Sequence, residues 1–137
     1  DLRVSIAHTT GVGVAIVAAG RDVGIDAEAI EPRSDTFVAT TMGADELAVL
    51  AAAGHDLATL PTHDRDRLLT RCWAAKEAAS KAAGTGLQGR PKDWPVTEVA
   101  GDRLRIGDRW VATTTISSPA GDPAPKEHVV AWTEPDR

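Results

Sequence analysis

Between Asp64 and Ala83, Leu68, Cys72, Ala75, Ala79 and Ala82 recur at steps of four, three, four and three, a spacing that a long α-helix gathers onto one side. Gly84-Thr85-Gly86 then supplies the stop. Four of the five ridge residues are small, so whatever packs against this helix must come close. The same holds chain-wide: 24 of the 137 residues are alanine, leaving few bulky apolar side chains to fill one core. Close-packed, alanine-rich helices are expected.

Around this helix the pattern changes period. Val4, Ile6 and His8 alternate with Ser5, Ala7 and Thr9, a Thr-Thr-Gly cluster precedes Val12 to Val17, and Gly20-Arg21-Asp22 precedes Val23 to Asp26, which reads as a three-stranded meander. From Ala44 to Ala53 the spacing is helical, with Asp45 and Glu46 at the favourable N-terminal end and Gly54 closing it. Short strands are expected over Val96–Val99, Leu104–Ile106, Trp110–Ile116 and His128–Trp132, with a Pro-rich loop from Ser117 to Pro125. Strands, helices, strands make an α+β fold, an antiparallel sheet packed against helices, in one domain over residues 1–137.

Charge and cysteine content narrow the function classes. Fifteen Lys and Arg against twenty Asp and Glu give a net charge of −5, unlike a binder of nucleic-acid backbones. No apolar run approaches a membrane span, and no signal peptide is evident. A single cysteine, Cys72, excludes an internal disulfide or a Cys-x-x-Cys site and suits a reducing cytoplasm. The chain starts at Asp1 and reads as a piece cut from a longer one.

Two groups of residues could carry chemistry. Asp26 and Glu28, two apart at a strand end, direct both carboxylates to one face, where a divalent cation such as Mg²⁺ would relieve their repulsion. The bland alternative is a solvated loop start. On the long helix Glu77 lies opposite the alanine ridge, one turn from both Trp73 and Lys81. An i,i+4 surface pair with Trp73 as a core contact explains that equally well by spacing alone.

Taken together, Val23-Gly24-Ile25-Asp26-Ala27-Glu28 and Trp73-Ala74-Ala75-Lys76-Glu77-Ala78-Ala79-Ser80-Lys81 resemble the paired signature of the 4′-phosphopantetheinyl transferases. Ser5-Ile6-Ala7-His8-Thr9 is similar to the Ser-x-Ser-His segment of the two-domain, Sfp-type branch, although Ala7 replaces a serine. The resemblance implies transfer of the phosphopantetheine arm of coenzyme A to a serine of an acyl or peptidyl carrier protein. It implies Asp26, Glu28 and Glu77 as Mg²⁺ ligands, with Glu77 taking the serine proton directly or through a water held by the metal. It implies Lys81 on phosphate and in catalysis, His8 on a nucleotide phosphate and Lys76 as a supporting coenzyme residue. Glu46 stands where relatives often carry an acid.

Only the half of the two-domain form that holds the metal acids is present, so a second wall is expected from a homo-oligomer or from a neighbouring domain of a larger synthase. The C-terminal domain of a polyketide synthase, for example of enediyne type, is the expected origin. Arg33, Phe37 and Met42, in a loop from Ile30 to Ala44, are the expected contacts for an acidic carrier. Arg90 is read as solvated, Arg65, Arg67 and Arg71 as a mixed solvated face, and His55 and His63 as lacking zinc partners. A non-catalytic carrier-docking domain and another Mg²⁺-dependent pyrophosphate-bond enzyme are the competing functions.

Overall fold

A computed structural model describes residues 1–135. Strands β1 (Leu2–Thr9) and β2 (Val12–Ala19) form an antiparallel hairpin. Next come β3 (Ile25–Ala29), α1 (Asp35–Thr41), α2 (Ala44–Ala52) and α3 (Thr62–Ala82). Strands β4 (Val96–Ala100), β5 (Arg103–Ile106), β6 (Arg109–Ser117) and β7 (Glu127–Thr133) complete the chain. The main sheet runs β3-β7-β6-β5-β4, antiparallel throughout. The structure is mixed α+β, as expected.

The meander expectation fails at its third strand. β3 leaves the hairpin and pairs with β7, Asp26 opposite Ala131 and Glu28 opposite Val129. The hairpin lies across it instead, touching through Ser5, whose Oγ accepts the Ile25 N–H at 3.0 Å. Burial explains the difference. Val23 to Ala27 are buried without alternation, as in a strand covered on both faces, whereas β2 alternates half-buried with exposed residues. Spacing along one strand does not name its neighbour.

Two cores result. Leu68, Leu69, Cys72, Ala75 and Ala79 of α3 pack on Leu104, Val111, Val129 and Ala131 of the sheet. On the opposite face, Ile25, Ala27 and Val130 meet Val12, Val14 and Ile16 of the hairpin. Burial in the first core pushes the Cys72 thiol up to about 12, which makes it inert.

Backbone chemistry fixes the helix ends. Ser34 caps α1 by accepting the Phe37 N–H, so the expected loop from Ile30 to Ala44 contains a short helix. α3 ends in a Schellman turn: the Gly84 N–H reaches Lys81 O at 3.0 Å and the Thr85 N–H reaches Ser80 O at 3.3 Å, with Gly84 at φ 80°.

Inside, α2 and α3 are joined by a charge pair. Lys76 is 0% and Glu46 2% exposed, with the ammonium 2.6 Å from Glu46 Oε1. Its other protons go to Thr41 O at 2.9 Å and Pro91 O at 3.0 Å. Glu46 also accepts the N–H groups of Val96 and Gly43. With every donor occupied, the pair is satisfied, and removing one side strands a buried ion. Glu46→Ala is expected to lower the unfolding free energy by about 3–5 kcal/mol in urea titration, while the double exchange Glu46→Leu with Lys76→Met recovers most of the loss. Equal losses for the single and double variants would contradict this.

Candidate active site

The face of β3 that looks at α3 carries Asp26 and Glu28, whose cross-strand neighbours Ala131 and Val129 belong to the helix-facing core. From α3, Glu77 and Lys81 meet them, one helical turn apart and half-buried with Trp73. The close passage needed for this comes from Gly24. A Cβ there would stand 1.8 Å from the Ala78 carbonyl oxygen, so only a bare α-carbon lets the strand lie against the helix.

Lys81 donates to Asp26 Oδ1 at 3.3 Å and to Ile25 O at 3.0 Å. Asp26 is 6% exposed, and among the described residues no N–H or hydroxyl group reaches its other oxygen, Oδ2, which is buried. The neighbouring Glu28 carboxyl is hydrogen-bonded to the Asp26 side chain, so the two acids share one proton's worth of satisfaction, an arrangement that a positive charge would relieve. The two other acids respond to the same crowding. Burial, then a hydrogen bond to the Asp26 side chain, then the charges of Asp26 and Glu77 push Glu28 up to about 8 against the opposing pull of Arg33. Burial and then Asp26 raise Glu77 as well, with Lys81 opposing. Glu28 and Glu77 thus resist ionising beside the Asp26 charge.

A hard divalent cation fits this donor set. Its ligands are oxygens, and its charge would offset the burial and repulsion that oppose ionisation of Glu28 and Glu77. Among the described residues, no three His, Cys, Asp or Glu side chains are grouped so that they could hold a metal ion as they stand. The fit therefore lies in charge and in the oxygen chemistry of the donors.

Beside the acids, Arg33 reaches Ala29 O at 3.0 Å and Thr70 Oγ1 at 3.3 Å. It lies 5.1 Å over the Phe37 ring, which meets Trp73 edge-on at 5.7 Å. Arg65 donates to Arg33 O and pairs with Asp35 at 3.1 Å, while Asp66 accepts the Arg33 N–H. The segment after β3 is thereby fastened to the first half of α3.

A family model for the 4′-phosphopantetheinyl transferase superfamily matches residues 22–132, from just before the β3 acids to the end of the sheet. The chain belongs to that superfamily. No curated protein matches it closely enough to count as a relative. Within the superfamily frame, Asp26, Glu28, Glu77 and Lys81 are brought together. Other expected residues are not.

Lys76 cannot serve coenzyme A as the resemblance implied: it is enclosed, and its three donors are already used inside the protein. Glu46, which the sequence leaves open between surface and site, is its buried partner. His8 projects from the outer face of the hairpin with Leu2, Val4 and Ile6, exposed, and has no hydrogen bond or ion pair to the acids.

Met42 is core and so not the exposed carrier contact expected of it, while Phe37 is half-buried and packs against that core. Arg71 is not simply solvated, since it bridges to Thr113 Oγ1 at 3.0 Å and Gly101 O at 2.9 Å. Arg90 is exposed, 3.9 Å from Asp93, and His63 approaches Glu127 at 3.1 Å. The ring contact between Phe37 and Trp73 had no expectation attached to it. Its signal was present in a tryptophan standing on a helix of small residues.

Proposed function

We propose that this domain transfers the 4′-phosphopantetheine arm of coenzyme A to a serine hydroxyl of an acyl or peptidyl carrier protein, with Mg²⁺ held by Asp26, Glu28 and Glu77. The observation that carries the proposal is the buried Asp26 carboxylate beside Glu28 and Glu77, both of which burial and the Asp26 charge make reluctant to ionise. When bound, Mg²⁺ would supply the positive charge that offsets a pyrophosphate.

The chain's own groups account for the rest. Glu77, in its ionised form and made more basic by burial, accepts the serine proton as the serine oxygen bonds to the pantetheine-bearing phosphorus. The anhydride P–O bond breaks, and adenosine 3′,5′-bisphosphate leaves with the electron pair. Lys81 spends two of its three protons on Asp26 and Ile25 O. The third is free to donate to a phosphate oxygen, because the side chain is 31% exposed.

Incubation with coenzyme A, Mg²⁺ and an apo carrier tests the proposal. The carrier should gain the mass of one phosphopantetheine arm. Carrier binding without added mass would assign docking instead, and coenzyme breakdown without carrier would assign a different pyrophosphate-bond enzyme.

The acids also set a pH dependence. The folded state holds a proton on Glu28 that the unfolded chain releases near its ordinary value of 4.5, so this contribution to stability is full below 4.5 and is lost as pH rises through about 8. The metal-free protein should melt at a higher temperature near pH ~5.5 than near pH ~8.5, and added Mg²⁺ should raise the midpoint more at the higher pH. A Mg²⁺ effect independent of pH would separate the cation from these acids.

The reading takes residues 1–137 as one cytoplasmic transferase domain whose second wall comes from another copy or from an adjoining synthase domain. Leu2, Val4, Ile6 and Val17, all exposed on one side of the hairpin, support a covered face there. Among the described residues no helix is long and apolar enough to cross a membrane.

A further inference from the structure

On the flank of α3 away from β3, Arg71 is held by two neutral acceptors. Its Nε donates to Thr113 Oγ1 on β6 at 3.0 Å, and its Nη2 donates to Gly101 O, in the turn between β4 and β5, at 2.9 Å. Among the described residues no carboxylate forms an ion pair with this guanidinium. Two of its five N–H groups are thereby used, and the rest are spare. Nη1 makes no bond to the described residues and, unlike the buried Nε of Arg105, is not shut off from solvent.

These bonds set the guanidinium in the wall of an open cleft of about 350 Å³, since Thr113 and Gly101 line it together with Arg71, Arg67 and Asp102. Arg67 stands one helical turn before Arg71, and its side chain is 44% exposed, with Nη2 donating to Asp64 Oδ1 at 3.3 Å. Positions four apart on a helix are neighbours, about 5–6 Å between Cβ atoms, so one small ion can reach both arginines. The two cations feel each other. Burial pulls Arg71 below its ordinary value; Cys72 opposes this, Arg67 adds to it and Asp102 opposes it. A partly enclosed cation with neutral partners, crowded by a second one, is relieved by an anion. Asp102 is exposed and makes no ion pair with either arginine.

We propose that this cleft binds a phosphate-class oxyanion, held between the guanidinium groups of Arg71 and Arg67. Guanidinium forks match the paired oxygens of such an ion, and a dianion answers two cations where a carboxylate answers one. The strand order β3-β7-β6-β5-β4 puts the cleft across α3 from Asp26 and Glu28, so the site is independent of the transferase acids. Its volume admits orthophosphate or a compact phosphate monoester.

The test uses the whole ¹⁵N-labelled domain and reads the Arg71 Nε–H and Gly101 amide signals in ¹H–¹⁵N spectra at fixed pH and ionic strength. One arm adds sodium phosphate, a second glycerol 3-phosphate and a third sodium acetate. Saturable shifts of both signals are expected in at least one phosphate arm, with acetate binding more weakly by about tenfold or more. Saturation by orthophosphate makes the free ion sufficient, and saturation by glycerol 3-phosphate alone makes a phosphate ester the occupant. Arg67→Met leaves both Arg71 bonds in place and should weaken binding about tenfold. Absence of saturable shifts in both phosphate arms, acetate binding as tightly as phosphate, or an unchanged affinity in Arg67→Met overturns the proposal. None of these readouts depends on transfer activity.

Discussion

Glu77→Gln is expected to abolish phosphopantetheine transfer while leaving the protein folded. The amide keeps the size and position of the side chain on α3 but cannot accept a proton and is a poor ligand for a cation. Loss of the base alone should lower the single-turnover rate by about a hundredfold to ten-thousandfold. Stability should hold or rise in the metal-free state, because burial and the neighbouring Asp26 oppose ionisation of Glu77. The carrier's mass after timed mixing gives the rate, and thermal unfolding gives the control. A variant within threefold of the parent rate would remove Glu77 from the chemistry, leaving Asp26 and Lys81 to be reconsidered.

Gly24→Ala should have the largest effect on folding. An added methyl would stand 1.8 Å from the Ala78 carbonyl oxygen, 2.8 Å from the Ala82 nitrogen and 2.9 Å from the Ala78 carbonyl carbon. All three are backbone atoms of α3, so no rotamer change relieves the overlap. Either the strand or the helix must move, and the Gly24 N–H bond to Thr133 Oγ1 at 3.0 Å holds the strand back. A loss of about 4 kcal/mol or more is expected in urea titration, at the upper end of single-residue effects. A loss below about 1 kcal/mol would mean that strand and helix separate easily, and with it that the offset between Asp26 and Lys81 is adjustable.

The parts of this molecule legible in its sequence are those set by local period. The ridge from Leu68 to Ala82 marked α3 to within two residues at its start and one at its end, and the turn residues marked β4 to β7. The stripe of Trp73, Glu77 and Lys81 was visible because i,i+4 neighbours share a face. Partner choice was not legible. Nothing in Val23 to Glu28 says that β3 joins β7 rather than β2, and nothing in Lys76 says that its four-carbon stem ends in the interior. Helical phase does turn Lys76 away from Glu77, but whether that side meets water or a carboxylate depends on α2. α1 was missed because Asp35 to Thr41 is too short and too threonine-rich to show a clear period. Its Ser34 cap was the available clue.

The buried ammonium of Lys76 also governs how α3 is set about its long axis. Lys76 and Glu77 are adjacent, so one points inward to three fixed oxygen atoms while the next points toward β3. Rolling the helix to move Glu77 would drag the ammonium off its acceptors, which makes the pair a keel. Changes in α2 around Glu46, remote from the reacting groups, should therefore surface as misaimed chemistry in a protein that still folds.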